Sequence, residues 1–455
     1  MKLPQQLLNS LKNQKGFDEE AFVAVHNDEE KTTSIRLNPF KPVELDFELG
    51  EKVKWCDSGF YLRERPSFTF DPLFHAGCYY VQEAGSMFLN HVLKQCVDLK
   101  KDLKVLDVCA APGGKSTLVN SLISEESILI SNEVIKPRAE ILSQNANKWG
   151  TCNVAVTNND PIMFSNLKEV FDVIVADVPC SGSGLFRKQV SAIEEWSLGN
   201  VNLCSARQKR ILGDVLQCLK TNGLLIYSTC SYSEEENEAI VKWLIKDFEM
   251  EIVNVAVEEK WGLTNNKLGY RFYPYLTKSE GFFCAALKKK QSSESNIVQN
   301  KKKYTADSHR EEKISAKETK VLEDYLIANK NHSVIKFKNE YKLMSNALLD
   351  FWHRHGIGLY FKNCGTTLGE IKHDDFVPNH EFAQSIFLSD KINKVNLSRT
   401  EAISFLKKEN LYLKAEKGIC LMTYKNFGLG WAKILDNRIN NYLPKDYRIL
   451  SSEEI

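Results

Sequence analysis

Cys180 lies in "DVPCSGSG" and Cys230 in "YSTCSYSEEENE", and each follows a short apolar run rich in Val, Ile and Leu. Such runs read as buried strands, so both thiols fall at strand ends that open into one crevice. Two thiols in one crevice suit covalent catalysis. A thiolate adding to carbon 6 of a cytosine turns carbon 5 into an enamine-like nucleophile that can take a methyl group. A base then removes the carbon 5 proton and the thiolate is eliminated. One thiol attacks, and the second can assist breakdown of the adduct. The thiolate is scarce, because a cysteine of ordinary pKa is only about 3% ionised at pH 7. "SEEE" (Ser233 to Glu236) has the spacing of a capping box, which predicts a helix just after Cys230. Its dipole favours a thiolate by about 0.3–1 kcal/mol, and the adjacent glutamates oppose it. Asp177, close in sequence to Cys180, is the expected base.

"VCAAPGGKST" (Val108 to Thr117) falls at a strand-to-helix turn. Such a turn presents backbone N–H groups and a helix N-terminus to an anionic or polar cofactor. A Walker A loop needs a glycine where Cys109 stands, and no G-x-G-x-x-G is present. A third reading is an S-adenosylmethionine loop made by Cys109, Ala110, Ala111, Pro112, Gly113, Gly114 and Lys115. Gly113 and Gly114 would let the backbone approach the methionine part, and Lys115 would face the cofactor's carboxylate. Glycines serving only a tight turn would account for the loop by itself. They would not account for Glu133, Asp160 and Asp177, which end or nearly end the successive strands behind it. At the carboxyl ends of a parallel sheet such acids can hold ribose hydroxyls, an adenine amino group or a base edge.

The elements that must position these groups are legible from Lys104 onward. "KVLDVCA", "ILISNE", "NVAVTNND", "FDVIVADVPC" and "GLLIYSTC" alternate with segments of helical period, and "GFFCAALKK" closes the series. Near-continuous apolar strands between helices predict a parallel sheet covered on both faces, a doubly wound Rossmann-like α/β domain over 101–289. Residues 1–100 read as a small α/β region in which Arg36, Lys41, Arg63 and Arg65 stand among aromatics, a candidate RNA-contacting patch. Residues 290–320 read as a polar linker: Lys288 to Lys320 holds ten Lys/Arg against five Asp/Glu and little to bury. From 321 to 455, "GLYFKN", "LGEIKH", "GICLMTY" and "GLGWAKI" predict a helix-plus-barrel module. There Trp352, His353, Arg354, Tyr360, Lys362, Trp431, Lys433, Arg438, Tyr442 and Arg448 interleave aromatic and basic side chains, a mixture that suits RNA.

The composition bounds the alternatives. With 43% hydrophobic and 26% charged residues and a formal net charge of +1, the 455-residue chain is globular and no polycation. A nucleic-acid partner must therefore be met by local patches. Twelve cysteines without a CxxC pair argue against a zinc site and a disulfide framework, so no metal is expected. No apolar run reaches the roughly 20 residues of a membrane span, and the N-terminus lacks the apolar core of a signal peptide. A cytoplasmic monomer is the expectation.

"CAAPGGK", "NEVIKPRAEILSQNANKWG", "DVPCSGSG" and "STCSYSEEENE" together resemble the RNA cytosine-5 methyltransferases of the Nol1/Nop2/Sun family. "SIRLNPFKP" and "GCYYVQEAGSMF" extend the resemblance upstream, to roughly 30–290. The resemblance implies that Cys230 is the nucleophile and that Cys180 helps release the product. It implies S-adenosylmethionine as cofactor, held by Cys109 to Lys115 and by Glu133, Asp160 and Asp177. DNA cytosine-5 methyltransferases attack instead with the cysteine corresponding to Cys180. "LGEIKHDDFVPNHEFA" and "GLGWAKILDNRINNYLPKDYR" resemble the C-terminal part of the bacterial subfamily acting on small-subunit (16S) ribosomal RNA, which implies a PUA-like RNA-binding module. A transfer-RNA-modifying member and a non-catalytic assembly factor are the rival readings. The thiols, glycine loop and acids have no joint use in the latter.

Overall fold

Strands buried on both faces explain the unbroken apolar runs. In the computed structural model, which describes residues 2–28, 31–290, 311–327, 329–373 and 375–451, five of them form the parallel centre of one large sheet. They are β1 (Lys104–Asp107), β2 (Ile128–Asn132), β3 (Val154–Thr157), β4 (Phe171–Asp177) and β5 (Leu219–Thr229), in the order β5-β4-β1-β2-β3. Successive side chains alternate between faces. Val105 packs with Leu129, Val173 and Ile226 on one side, and Leu106 with Ile130, Ile174 and Leu225 on the other. Helix α1 (Gly114–Asn120) covers the first face through Leu118 and Val119. α3 (Leu198–Val215) and α4 (Glu238–Asp247) cover the second, and α2 (Lys136–Trp149) links β2 to β3.

From β1 the chain steps outward to β2 and β3, then returns to the other side of β1 as β4. Open α/β sheets bind ligands at such a reversal, beyond the carboxyl ends of the strands. The glycine loop leaves β1 there, and Asp177 ends β4 there.

Antiparallel strands close both edges. β6 (Phe282–Lys289) pairs with β5 and is extended by Tyr270–Phe272 and Thr264–Asn265. β7 (Phe361–Cys364) pairs with β3, so a strand from the expected C-terminal module completes the central sheet. The run "GLYFKN" announces a strand but not its partner, because pairing is decided by register and packing far along the chain.

The N-terminal region carries helices Gln5–Leu11, Glu19–Asn27 and Phe88–Cys96, and a four-stranded antiparallel sheet. Two residues expected to contact RNA are buried in it. Arg36, on the strand Ser34–Leu37, donates to Gln82 Oε1 (2.8 Å) and Thr117 Oγ1 (2.6 Å) and stacks 4.5 Å from the Trp149 ring. Lys41 Nζ donates to the carbonyls of Ala76, Lys148 and Gln384 at 2.8, 2.7 and 2.6 Å. Each cation is satisfied inside the protein and is unavailable to a phosphate. Arg63 and Arg65 remain exposed.

Of 290–320, residues 291–310 lie outside the described residues, and a helix with a complete Ser315–Glu318 capping box occupies Ala316–Glu323. Beyond it stand two four-stranded sheets. The first joins His332–Phe337, Glu340–Ser345, Thr366–Lys372 and Asp375–Pro378, and the second joins Lys394–Asn396, Gly418–Tyr424, Phe427–Ile434 and Ile439–Asn441. Trp352 and Trp431 belong to hydrophobic cores and cannot act as stacking platforms, whereas Tyr360, Tyr442, Arg438 and Arg448 are exposed. Among the described residues no helix is long and apolar enough to cross a membrane.

Candidate active site

β4 and β5 are parallel neighbours with Asp177 in register with Ser228, so the loops that follow them open side by side. Cys180 and Cys230 ride on those loops with their Sγ atoms 3.0 Å apart. The hydrogen bond with Cys230 and then burial push the Cys180 pKa well up, so Cys180 is the thiol held protonated. Cys230 faces the cleft described below.

The expected capping box after Cys230 does not form. Glu234–Glu236 make a single 3-10 turn, the Ser233 side chain caps nothing, and α4 starts only at Glu238. The reason is Glu236, the residue that should have reached back to Ser233. Its carboxylate instead accepts from Ser181 N (2.7 Å), Ser181 Oγ (2.6 Å) and Ser231 Oγ. Glu238, two residues on, pairs with buried Arg271.

Gly113 sits at φ 116°, a left-handed backbone that glycine adopts without strain, and α1 begins at Gly114. A Cβ on Gly114 would stand 3.3 Å from the Tyr80 ring. Lys115 Nζ bonds Asp177 Oδ2 at 2.7 Å, and Asp177 Oδ1 accepts from Ser228 Oγ at 2.8 Å. Burial, the largest single influence, would lower the Lys115 pKa, but the charge and hydrogen bond of Asp177 together with the nearby Asp107 and Cys230 raise it on balance. Lys115 is thus engaged with Asp177, where the sequence suggested a cofactor carboxylate.

Asp107, at the end of β1, was not singled out from sequence. It is fully buried; Oδ2 accepts from Ser116 Oγ at 2.7 Å while Oδ1 has no hydrogen-bond partner. Burial pushes its pKa up to about 7. Glu133 Oε1 accepts from Ile135 N at 2.9 Å, and buried Oε2 makes no hydrogen bond, lying 3.3 Å from Arg138 Nη1. Arg138 Nη2 also donates to Ala111 O at 2.8 Å. Asp160 stands apart: half exposed, it caps the turn at Ile162 and binds Arg210 Nη1 at 2.9 Å.

A cleft of about 410 Å³ joins most of these groups. Its lining includes Tyr80, Gln82, Cys109, Ala110, Ala111, Pro112, Gly114, Lys115, Arg138, Asp177, Cys230 and Phe282. The volume falls in the roughly 300–1,000 Å³ range of small-molecule sites. Apolar walls from Ala110, Ala111, Pro112 and Phe282 fit a nucleoside, and behind Arg138, which lines the cleft, the buried Oε2 of Glu133 makes no hydrogen bond. The residues present therefore fit S-adenosylmethionine. Gly113 shapes the turn without lining the cleft, and Cys180, Glu133 and Asp160 do not line it either. Gln82, Arg138 and Glu236 went unassigned in the sequence because their roles come from long-range contacts.

Residues 94–288 match the family described as 16S rRNA methyltransferase RsmB/F, residues 3–84 the N-terminal domain of 16S rRNA methyltransferase RsmF, and residues 392–449 the methyltransferase RsmF PUA domain. The chain is similar to the ribosomal RNA small subunit methyltransferase F of Aeromonas salmonicida, with 30% identity over 440 residues, 91% of this chain and 90% of the relative. The protein of that description from Vibrio vulnificus is 30% identical over 434 residues, with 91% and 90% covered. Among solved structures, a methyltransferase homolog from Pyrococcus horikoshii is 27% identical with TM-score 0.51, covering 63% of this chain and 100% of that one. NSun6 from Pyrococcus horikoshii, solved with SFG, has TM-score 0.54 and covers 64% of this chain and 99% of that one; at 21% identity it speaks for the fold.

Proposed function

This chain belongs to the RsmB/F family of 16S rRNA methyltransferases, and from that premise we propose that Cys230 attacks the target cytosine and Cys180 assists release. The enzyme is an S-adenosylmethionine-dependent RNA cytosine-5 methyltransferase acting on small-subunit ribosomal RNA. The cofactor, when bound, supplies the methyl group. The observation that carries the assignment of roles is the pair of thiols at 3.0 Å, with Cys230 on the same cleft as the glycine loop.

The chain's own groups divide the work. The backbone from Cys109 to Gly114, with Lys115, Glu133 and Arg138, would hold the cofactor, and Asp160, paired with Arg210, would support that end of the site. The target base leaves its stack, at a cost of a few kcal/mol. The Cys230 thiolate then bonds to carbon 6, and carbon 5 becomes nucleophilic. Asp177, kept in place by Lys115 and Ser228, takes the carbon 5 proton after methylation, and the C6–S bond breaks. Cys180, held as a thiol, offers its proton to the departing sulfur at hydrogen-bond distance. Residues 1–100 and 321–455 present the RNA to the 101–289 domain, and the enzyme acts as a cytoplasmic monomer.

Labelled methyl transfer to unmodified 16S rRNA and to small subunits tests this reading. Cys230→Ser should abolish transfer, and Cys180→Ser should accumulate a covalent protein–RNA adduct. An adduct that survives Cys230→Ser and needs Cys180 would reverse the two roles.

A further inference from the structure

Glu236 is completely buried and does not line the cleft, yet it touches both loops that carry the thiols. Fifty positions of chain separate Cys180 from Cys230, and the residue immediately after each cysteine is a serine bonded to this one carboxylate. On the Cys180 side both the amide and the hydroxyl of Ser181 are engaged; on the Cys230 side, the hydroxyl of Ser231. The Cys180 loop needs such an anchor, because "SGSG" is rich in glycine and Gly182 is left-handed at φ 74°. The other end of Glu236 is also fixed, its carbonyl accepting from buried Tyr227. Burying a carboxylate is costly unless its oxygens are bonded. Burial pushes the Glu236 pKa up, and the serine donors oppose that rise.

We infer that Glu236 is a positioning residue whose carboxylate clamps the Cys180 and Cys230 loops together and so sets the contact between the two thiols. The inference rests on the two-cysteine reading above, although its geometry does not depend on which sulfur attacks. Removing the clamp lets the glycine-rich loop relax while the cleft and its glycine loop stay in place. Adduct formation and release then suffer, whereas binding of cofactor and RNA does not.

The thiol contact can be read directly. Diamide removes two electrons and two protons from adjacent thiols, and peptide mass spectrometry follows the Cys180–Cys230 crosslink in the full-length enzyme. Glu236→Ala should crosslink about tenfold more slowly and lose about 100-fold in kcat, with KM for S-adenosylmethionine and for RNA within about threefold of wild type. Glu236→Gln should restore crosslinking and most of kcat. Its oxygen still accepts the Ser181 amide, and its NH2 meets hydroxyls that accept as well as donate. If Glu236→Ala does not fold, the double change Ser181→Ala with Ser231→Ala poses the same question with the carboxylate retained, and it too should slow the crosslink. Crosslinking at the wild-type rate in these variants would overturn the inference. A slowed crosslink together with an RNA adduct on Cys180 would uphold the clamp and reject the assigned roles.

Discussion

Asp107 illustrates how burial retunes a single carboxyl. Its pKa of about 7 lies far above the 3.8 it has when exposed, with desolvation the leading cause. Between those values the folded protein keeps a proton that the unfolded chain releases. Stability from this group therefore falls as pH rises through the window, and the cost is fully present above about pH 7. Inside the window the slope is about 1.4 kcal/mol per pH unit. Asp107→Asn keeps an acceptor for the Ser116 hydroxyl and cannot ionise. Thermal melts of the variant should lie above wild type at pH 8 and converge with it toward pH 4. A wild-type advantage at pH 8 would refute the account. Sequence spacing singled out Cys109 to Lys115 and the cysteines, because those residues are contiguous in motifs. It passed over Asp107, whose unusual state comes from what covers it.

Between elements, the decisive contacts join the N-terminal sheet to the glycine loop. Arg36 lies on the strand Ser34–Leu37 and reaches the first turn of α1, at Gly114 O (3.3 Å) and Thr117 Oγ1. It also spans to Gln82, which lines the cleft. One guanidinium thus sets the distance between two walls of the cofactor site. Arg36→Met should keep much of the side chain's apolar volume while losing these bonds and the guanidinium's stacking on Trp149, and calorimetry should show S-adenosylmethionine binding weakened on the order of tenfold, about 1.4 kcal/mol. Unchanged affinity would mean that α1 holds its place without the N-terminal sheet. The same contact explains which elements were readable. The parallel strands were, because burial on both faces writes a continuous apolar run. "SIRLNPFKP" was read as an RNA patch, because a buried arginine and an exposed one look alike until their partners are known. "SEEE" failed as a capping box for the same reason: Glu236 found stronger donors in Ser181 and Ser231 than in Ser233.

Across the whole molecule, Lys41 marks where three parts of the chain meet. Ala76 belongs to the N-terminal region, Lys148 to the last turn of α2, and Gln384 follows the helix His380–Ala383 of the C-terminal part. The junction is tight on every side. A Cβ on Gly77 would come within 2.1 Å of Lys148 O, and Ile386 N bonds Gly150 O at 3.0 Å. A shared core lies beside it, where Ile35, Leu73 and Tyr79 pack with Phe405, Met422 and Leu429. The second C-terminal sheet is therefore docked on the N-terminal region, not loosely tethered by the polar segment that precedes it. On the proposed function, RNA held by one part would consequently be held in fixed register with the cysteines. Lys41→Met fills similar volume but leaves three carbonyls without their donor, each worth about 1–3 kcal/mol if it stays buried. The melting temperature should fall, and hydrogen exchange at the Ile386 amide should accelerate ahead of the amides of β1 and β4. RNA affinity should drop while cofactor affinity holds, because the cleft does not include the junction. Exchange at Ile386 that kept its wild-type protection would show that the apolar core alone docks the C-terminal part, and Lys41 would then be a passenger of the interface.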